Sequence, residues 1–520
     1  MKRRSFVLIS AVLASALSLS SCGGSAHNLT AATTAANGGY YAAKAEMYYD
    51  SDMPEFNTEE YGTIKENTFM SPVSDPLSTF SIDVDTASYS NIRRMINYRQ
   101  TVPKDAVRIE EMINYFGYSY PEPNEGEPFS VSTEITGCPW NEDTKLLRIG
   151  LKSQDIDLSQ RAPMNLVFLI DVSGSMYSED KLPLVQKSFS ILTDQLTPQD
   201  RVSVVTYADG DRVVLEGADG NDRERILAAI RSLQAGGSTA GSRGIQRAYE
   251  IAGKYFIQGG NNRIILATDG DLNVGVTSES ELKELVEKKR ESGVYLSVLG
   301  FGQGNIKDNK METLADNGNG MYSYIDSERE ARKVLCEEMS GNFFTVAKDV
   351  KIQVEFNPAY IKGYRLIGYE NRVMSAEDFS DDTKDAGEIG AGHTVTALYE
   401  IADKDSAMEL SSSELKYTDT SALGKENGEL LTVSIRYKAP DSDESRLLTY
   451  PVTEQAYNAS MSEDMSFAAA VAEFGMLLRD NEYKGSSARE GILSLVSACD
   501  IANDEYKQEF VQLVKAADIP

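Results

Sequence analysis

The chain has 520 residues, which is enough for roughly two to four domains. Its 80 acidic residues outnumber its 51 basic residues, and the formal net charge of −29 argues against binding to nucleic acid. A content of 41% hydrophobic and 25% charged residues is typical of globular proteins, which excludes global disorder. The only histidines are His27 and His393, which argues against multi-histidine zinc sites and catalysis by paired histidines.

The first 21 residues have the pattern of a signal peptide. Basic residues at 2–4 precede an apolar run at 6–19, which is too short for a comfortable membrane span. Residues 19–22, Leu-Ser-Ser-Cys, resemble a bacterial lipobox, and this resemblance implies that Cys22 is lipidated and becomes the first mature residue. An ordinary secretory signal is the alternative. We therefore expect a bacterial cell-envelope protein with a lipid anchor, followed by a flexible tether over residues 22–70 that is rich in small and polar residues.

Residues 161–345 alternate between apolar runs of strand length and amphipathic helical segments. The runs predict strands at 165–170, 201–207, 213–215, 263–267, 294–299 and 321–325, with helices between most of them and a helix at 328–339. Continuous apolar strands separated by helices are typical of an α/β fold with a doubly wound, mostly parallel sheet. In such folds ligands bind beyond the carboxyl ends of the strands.

Polar loops follow two of the predicted strands. Asp171, Ser173 and Ser175 share one turn, Asp269 follows the strand at 263–267, and Thr239 lies in a glycine-containing loop that opens a helix. These residues offer only hard oxygen ligands with two formal negative charges, which suits Mg²⁺ or Mn²⁺. Because so few carboxylates leave the cation undercharged, we expect it to accept an external carboxylate.

This order of motifs resembles the metal-ion-dependent adhesion site of the von Willebrand factor type A domain. The resemblance implies that all five residues hold a divalent cation (Mg²⁺, or Mn²⁺ or Ca²⁺), and that a protein partner supplies an Asp or Glu carboxylate to it. Wider segments look like bacterial YfbK-like proteins, which are envelope lipoproteins with a type A domain between flanks of unknown role. These segments lie at 79–89, 108–116, 267–275, 299–302, 391–400 and 467–475.

The flanking regions have different patterns. Residues 71–160 suggest helices followed by strands, residues 346–455 are β-rich, and residues 456–520 are helical. Strict alternation of apolar and polar residues predicts half-buried antiparallel strands in both flanks. We expect these strands to pair into one β-sandwich with the type A domain inserted between them, and separate flank domains are the alternative. Met and Phe at helical spacing in the last region are expected in the core.

The Asp83-Val-Asp85 sequence admits two interpretations. It could be the nucleophile motif of a haloacid-dehalogenase phosphatase, but Ala87 stands where that motif needs Thr or Val. The simpler hypothesis is that Asp85 or Thr86 caps a helix over residues 87–98.

The remaining cysteines, Cys138, Cys336 and Cys499, are far apart and odd in number. This spacing indicates neither a disulfide framework nor a metal site, so we expect buried free thiols.

The sequence therefore predicts a membrane-tethered, divalent-metal-dependent protein-binding module for adhesion or assembly, and not an enzyme. One alternative is a structural envelope protein with a vestigial metal site. The other is a metal-assisted hydrolase, which would need a base near the metal, although residues 161–345 contain no histidine.

Overall fold

The computed structural model describes residues 57–238, 241–270, 279–410 and 424–520. Cys22, His27, the signal peptide and most of the expected tether lie outside these residues, and so does Thr239. In the part of the chain that is described, no helix combines the length and the apolar character needed to cross a membrane.

The N-terminal flank contains two short helices and three strands. In chain order they are β1 (Leu77–Ser81), α1 (Ala87–Asn97), α2 (Ile109–Asn114), β2 (Phe129–Gly137) and β3 (Lys145–Ser153).

The central region alternates strands and helices, as its apolar periodicity predicts. Its elements are β4 (Met164–Asp171), α3 (Leu182–Thr193), β5 (Arg201–Tyr207), β6 (Asp211–Asp219), α4 (Arg223–Arg231), α5 (Gly241–Lys254), β7 (Asn261–Thr268), α6 (Glu279–Arg290), β8 (Tyr295–Phe301), α7 (Asp308–Asn317), β9 (Tyr322–Ile325), α8 (Glu328–Arg332) and α9 (Met339–Phe343). The helix predicted over 328–339 is interrupted, because a π-turn at Lys333–Glu337 separates α8 from α9.

These strands form one six-stranded sheet in the order β6-β5-β4-β7-β8-β9. All neighbouring strands are parallel except β5 and β6. Strand β4 is buried along its whole length, and separate apolar clusters cover the two faces of the sheet. The predicted doubly wound, mostly parallel α/β fold is confirmed.

After the central region the chain is antiparallel β and then helical. The elements are β10 (Thr345–Phe356), β11 (Ile361–Ile367), β12 (Val373–Met374), β13 (Gly387–Gly390), β14 (Thr394–Asp403), β15 (Glu429–Lys438), β16 (Ser445–Thr453), α10 (Glu463–Arg479), α11 (Arg489–Ser497) and α12 (Glu505–Ala516).

Strands from before and after the central region pair in the same two sheets. One sheet has the order β12-β1-β10-β15-β16, and the other has the order β11-β14-β3-β2. Side chains of both sheets, such as Phe129 and Val354, belong to one buried apolar cluster. The flanks thus form a β-sandwich, and the chain of the α/β region is inserted between its strands β3 and β10.

The C-terminal helices pack against the N-terminal flank. Nearly every residue of α10 is buried, and Phe467 lies 4.9 Å from Phe116 of the segment after α2, measured between ring centroids. Met465 and Phe474 are also fully buried in this cluster. The Met and Phe residues of this region are therefore core residues, as their spacing predicts.

The folded part begins earlier in the chain than the expected tether boundary at residue 70. Glu60 forms an isolated parallel β-bridge with Lys307, and Met70 forms an isolated antiparallel β-bridge with Tyr364. The side-chain amide of Asn67 donates from Nδ2 to the carbonyl of Gly368 over 2.8 Å. Residues 57–70 carry little apolar periodicity, so hydrogen bonds to distant segments, rather than a local pattern, hold them in place.

The three cysteines are free thiols, as expected. Cys138 is buried, whereas Cys336 and Cys499 are only half-buried, so the expectation of burial holds for one of the three. Burial raises the pKa of Cys138 to about 12, which makes this thiol a poor nucleophile.

A fragment of residues 346–520 should fail to fold cooperatively. It would lack β1, which pairs with β10, and β3, which pairs with β14. It would also lose the apolar side chains of α2 that pack on α10 and those of α1 that pack on α12, each contributing about 1.5–3 kcal/mol. Several such losses equal the typical stability of about 5–15 kcal/mol for a whole domain. Chemical denaturation with circular dichroism would measure this against the full chain, and a soluble fragment with a cooperative transition would show that the flanks fold independently.

Candidate metal centre

The candidate site lies where the strand order of the α/β sheet reverses direction. From β4 the chain proceeds to β5 and β6 on one side, and then returns to β7 on the other side. The register places Ile170 beside Ala267 in parallel strands, so the loops that follow β4 and β7 leave the sheet side by side. This topological switch point is where ligands bind in open α/β sheets.

Asp171 is the last residue of β4 and its side chain is held from two directions. Its Oδ1 accepts a hydrogen bond from the Ser173 amide over 2.9 Å, and its Oδ2 accepts one from the Thr268 hydroxyl over 3.3 Å. Thr268 Oγ1 also accepts from the Gly270 amide over 3.1 Å. Thr268 therefore connects the two loops, a role that the sequence reasoning did not assign.

The two predicted serines are adjacent. Ser173 Oγ and Ser175 Oγ lie 3.0 Å apart at a short 3₁₀ turn over Gly174–Tyr177. Ser173 is buried and Ser175 is exposed, so this pair extends from the interior of the site to its surface. Both hydroxyl oxygens are free to act as acceptors toward a cation, because a hydroxyl has two lone pairs.

The glycine-containing loop reaches the same place. The Gly174 amide donates to the Gly237 carbonyl over 3.0 Å, and the Gly236 amide donates to the Val172 carbonyl over 2.8 Å. Ser238 donates from its amide and its hydroxyl to Asp209 Oδ1, each over 2.7 Å. Thr239 follows directly in the chain but lies outside the described residues, so its role stays a prediction.

Asp269 is almost completely buried and forms an ion pair with Lys181. Lys181 Nζ lies 2.8 Å from Asp269 Oδ2, and both side chains are less than a tenth exposed. Lys181 directly precedes α3 and is ten residues beyond Asp171 in the chain. The sequence reasoning missed this lysine, because helical periodicity says nothing about where a long flexible side chain ends.

The electrostatics of the site suit a divalent cation. Burial raises the pKa of Asp171 to about 7, the Ser173 amide opposes this shift, and the negative charge of Asp269 adds to it. Two buried carboxylates with adjacent hydroxyls are a hard oxygen donor set of the kind that Mg²⁺ prefers. The residues present therefore fit a divalent metal, with Asp171, Ser173, Ser175 and Asp269 as the described part of its ligand set.

Asp83 and Asp85 are parts of a buried ion-pair cluster rather than of a helix cap. Arg372 Nε lies 2.9 Å from Asp83 Oδ2, and Asp85 Oδ1 accepts from the Tyr322 amide over 2.7 Å. Thr86 is at the N-cap position of α1 but makes no cap hydrogen bond. Glu111 of α2 accepts from the Ser88 amide over 2.8 Å instead, so the expectation that Asp85 or Thr86 caps this helix is wrong.

His393 lies in the β-sandwich, between β13 and β14. Burial and the positive charges of Lys333 and Lys152 lower its pKa to about 4, so the imidazole is neutral at physiological pH. A β-carbon on Gly341 would lie 2.0 Å from its ring, which indicates close packing against α9.

Comparisons with known proteins agree with this architecture. Family models match residues 55–148 (von Willebrand factor), 165–337 (von Willebrand factor type A domain) and 341–519 (uncharacterized protein YfbK, C-terminal). The uncharacterized protein YfbK of Escherichia coli (strain K12) is 42% identical over 487 residues, which cover 92% of this chain and 84% of that protein. The chain belongs to the YfbK family.

More distant relatives match a smaller part of the chain. The inter-alpha-trypsin inhibitor heavy chain H3 of Mesocricetus auratus is 27% identical over 201 residues, covering 37% of this chain and 22% of that protein. Type A domains are typically non-enzymatic modules that bind proteins in a metal-dependent way. This chain thus carries a domain of this interaction class between two flanks that share one sandwich.

Two solved structures illustrate the range of similar folds. One is a von Willebrand factor type A protein from Catenulispora acidiphila, which is 16% identical in sequence. The match covers 77% of this chain and 91% of that protein, with a TM-score of 0.43. Proximal thread matrix protein 1 from the mussel byssus, with a zinc-occupied MIDAS motif, is 20% identical. This match covers 36% of this chain and 46% of the mussel protein's chain, with a TM-score of 0.30.

Proposed function

We propose that this protein is a lipid-anchored module of the bacterial cell envelope that binds a protein partner through a divalent cation. Asp171, Ser173, Ser175, Thr239 and Asp269 would hold the cation, and Mg²⁺ is the metal that the oxygen ligands favour. An Asp or Glu carboxylate of the partner would complete the coordination. The observation that carries this proposal is the pair of buried carboxylates, Asp171 and Asp269, beside two hydroxyls at the switch point of the sheet.

The donor set explains why a partner carboxylate is expected. Two aspartates neutralise a divalent cation formally, but the hydroxyl ligands add no charge, and the ammonium of Lys181 places a further positive charge near the site. A bound cation would therefore retain positive charge toward the exposed Ser175 side of the site. A carboxylate from outside would neutralise that charge and replace a bound water.

The proposal favours binding over catalysis. A metal-assisted hydrolase needs a group that removes a proton from water near the metal, and residues 161–345 contain no histidine. His393 belongs to the sandwich and is already held neutral by burial. A vestigial site is disfavoured because all five ligand types are present in the sequence.

Calorimetric titration of the full chain with Mg²⁺ and Mn²⁺ tests the metal site. Capture of partners from native membranes, with and without a chelator, then tests the binding function. We expect saturable metal binding and partner capture that the chelator abolishes. Hydrolytic turnover that needs the same metal would instead support the hydrolase alternative, and a chain that takes up no metal would support a vestigial site.

Cys22→Ala should prevent lipid anchoring. If the lipobox is processed, this variant retains an uncleaved signal peptide or is released into the soluble fraction, because the acyl chains supply the anchor. Detergent phase partitioning and the mass of the mature N-terminus would measure the difference from the wild type. A Cys499→Ala variant, which changes a half-buried thiol near the C-terminus, is the matched control. Identical detergent partitioning of Cys22→Ala and wild type would contradict the lipoprotein proposal.

A further inference from the structure

Lys181 is positioned by its own main chain to face the metal site. Its amide donates to the Ser178 carbonyl over 3.0 Å, and its carbonyl accepts from the Val185 amide over 2.8 Å. These bonds hold the residue at the N-cap position of α3, from which its ammonium reaches Asp269. The side chain is only 9% exposed. Lysine side chains are almost never buried unless they are paired, and here the partner is Asp269.

The aliphatic part of this side chain lies in a groove that a glycine leaves open. Gly302 follows β8 with a φ of +73°, and a β-carbon there would lie 2.3 Å from Lys181 Cγ and 2.4 Å from Lys181 Cε. The stem therefore packs directly against the main chain at the end of β8. Its ammonium is thus fixed beside the predicted ligand Asp269 instead of moving freely in solvent.

Without a metal, Lys181 offsets one of the two buried negative charges in this part of the site. Asp171 and Asp269 are both buried, and an unpaired buried carboxylate is unfavourable. When a divalent cation arrives, the same ammonium becomes a like charge held close to it. Asp269 Oδ2, which now accepts from the ammonium, would then face two cations.

We propose that Lys181 is a resident counter-charge that competes with the divalent cation for Asp269, and so sets the metal affinity of the site. This inference rests on the proposed function, because it requires the cation to bind there. In the metal-free state the ammonium stabilises the buried carboxylates, and metal loading displaces it from Asp269. The consequence is a site that stays folded when empty and loads only when the metal concentration is high enough.

The test replaces the ammonium and keeps the stem. Lys181→Met has nearly the same length and can retain the packing against Gly302, so it removes mainly the charge. Lys187→Met is the matched control, because Lys187 is on the same helix but is more than half exposed and pairs with Glu328 at the surface. Each full-length variant is titrated with Mg²⁺ and Mn²⁺ by calorimetry, and its thermal midpoint is measured with and without metal.

We expect two opposite effects in Lys181→Met. The metal-free midpoint should fall by at least about 2 °C, because the buried Asp269 carboxylate loses the ammonium with which it pairs. The affinity for metal should rise at least about tenfold, and saturating metal should close the gap in midpoint to the wild type. Lys187→Met should match the wild type in both measurements. If Lys181→Met does not fold, Lys181→Gln provides the same charge change with a shorter polar side chain.

The outcomes separate this inference from the proposed function. A lower midpoint with an unchanged or weaker metal affinity overturns the competition and leaves a purely structural ion pair, while the metal site itself stands. Metal binding by Lys181→Met where the wild type takes up almost none supports strong competition. If neither protein binds metal, the proposed metal function fails and this inference fails with it.

Discussion

Replacing either Asp171 or Asp269 with alanine should lower the affinity for Mg²⁺ well over tenfold. The two carboxylates are the only formal charges among the proposed ligands, so each variant removes half of the charge that neutralises the cation. A tenfold loss corresponds to about 1.4 kcal/mol, and loss of a charged ligand exceeds that. The sheet should still form in both variants, because Asp171 is the last residue of β4 and Asp269 lies beyond the end of β7. Asp269→Ala should be the less stable of the two, because it also leaves the buried Lys181 ammonium without this ion-pair partner. Calorimetric titration and circular dichroism would measure the two effects.

Capture of the protein partner should depend on the bound metal. We expect it to vanish in a chelator and in Asp171→Ala, and to return with added Mg²⁺ or Mn²⁺ in the wild type only. Asp194→Ala is the matched control, because this aspartate lies just beyond the other end of α3 with a side chain that is 66% exposed. If a partner still binds in the presence of the chelator and also binds Asp171→Ala, recognition would lie on the sandwich or the C-terminal helices instead.

Replacing Arg372 with methionine should destabilise the fold by about 3–5 kcal/mol, the usual cost of removing one partner from a buried ion pair. Arg372 lies between β11 and β12, and its guanidinium contacts acidic groups from two other regions. Its Nη1 lies 2.6 Å from Asp316, its Nη2 lies 3.2 Å from Glu312, and its Nε lies 2.9 Å from Asp83. Without it, the carboxylates of Asp83 and Glu312 would be left buried without this positive charge at the junction of the α/β region and the sandwich.

The loss should depend on pH. Burial raises the pKa of Glu312 to about 8, and Arg108 and Arg372 oppose that shift. Burial also raises the pKa of Asp85 and of Glu111. A raised carboxyl pKa means that the folded state holds a proton that the unfolded state has lost, so stability falls as pH rises from about 4.5 to about 8. Arg372→Met removes an opposing positive charge, so its destabilisation should be larger at pH 9 than at pH 6.

Chemical denaturation at the two pH values would measure this effect. Arg436→Met is the control, because Arg436 pairs with the half-exposed Asp382 at the surface and should change stability by at most about 1 kcal/mol. An Arg372→Met loss no larger than that of Arg436→Met, or equal losses at pH 6 and pH 9, would contradict the assigned role of the cluster.

Much of the α/β region was predictable because its signals are local. Strand β4 is a continuous apolar run, and a strand buried on both faces needs that pattern whatever surrounds it. The site followed from the same logic, since parallel neighbouring strands place Asp171 and Asp269 at one edge of the sheet. The sequence predicted a helix at 328–339 but not its interruption. A π-turn changes the hydrogen-bond register, yet it alters the spacing of the apolar residues too little to be recognised in the sequence.

The order of strands and helices, the doubly wound sheet and the loop positions of the candidate metal ligands could all be predicted from the sequence. The sequence predicted that the flanks join in one sandwich, but only the folded structure shows which strands pair: β1 with β10 and β3 with β14, across more than two hundred residues of intervening chain. The tertiary structure also decided that Lys181 pairs with Asp269 and that Arg372 joins Asp83 to Glu312. The physical reason is that periodicity depends on which face of an element is buried, whereas the partner of a long charged side chain depends on which distant segments pack around it.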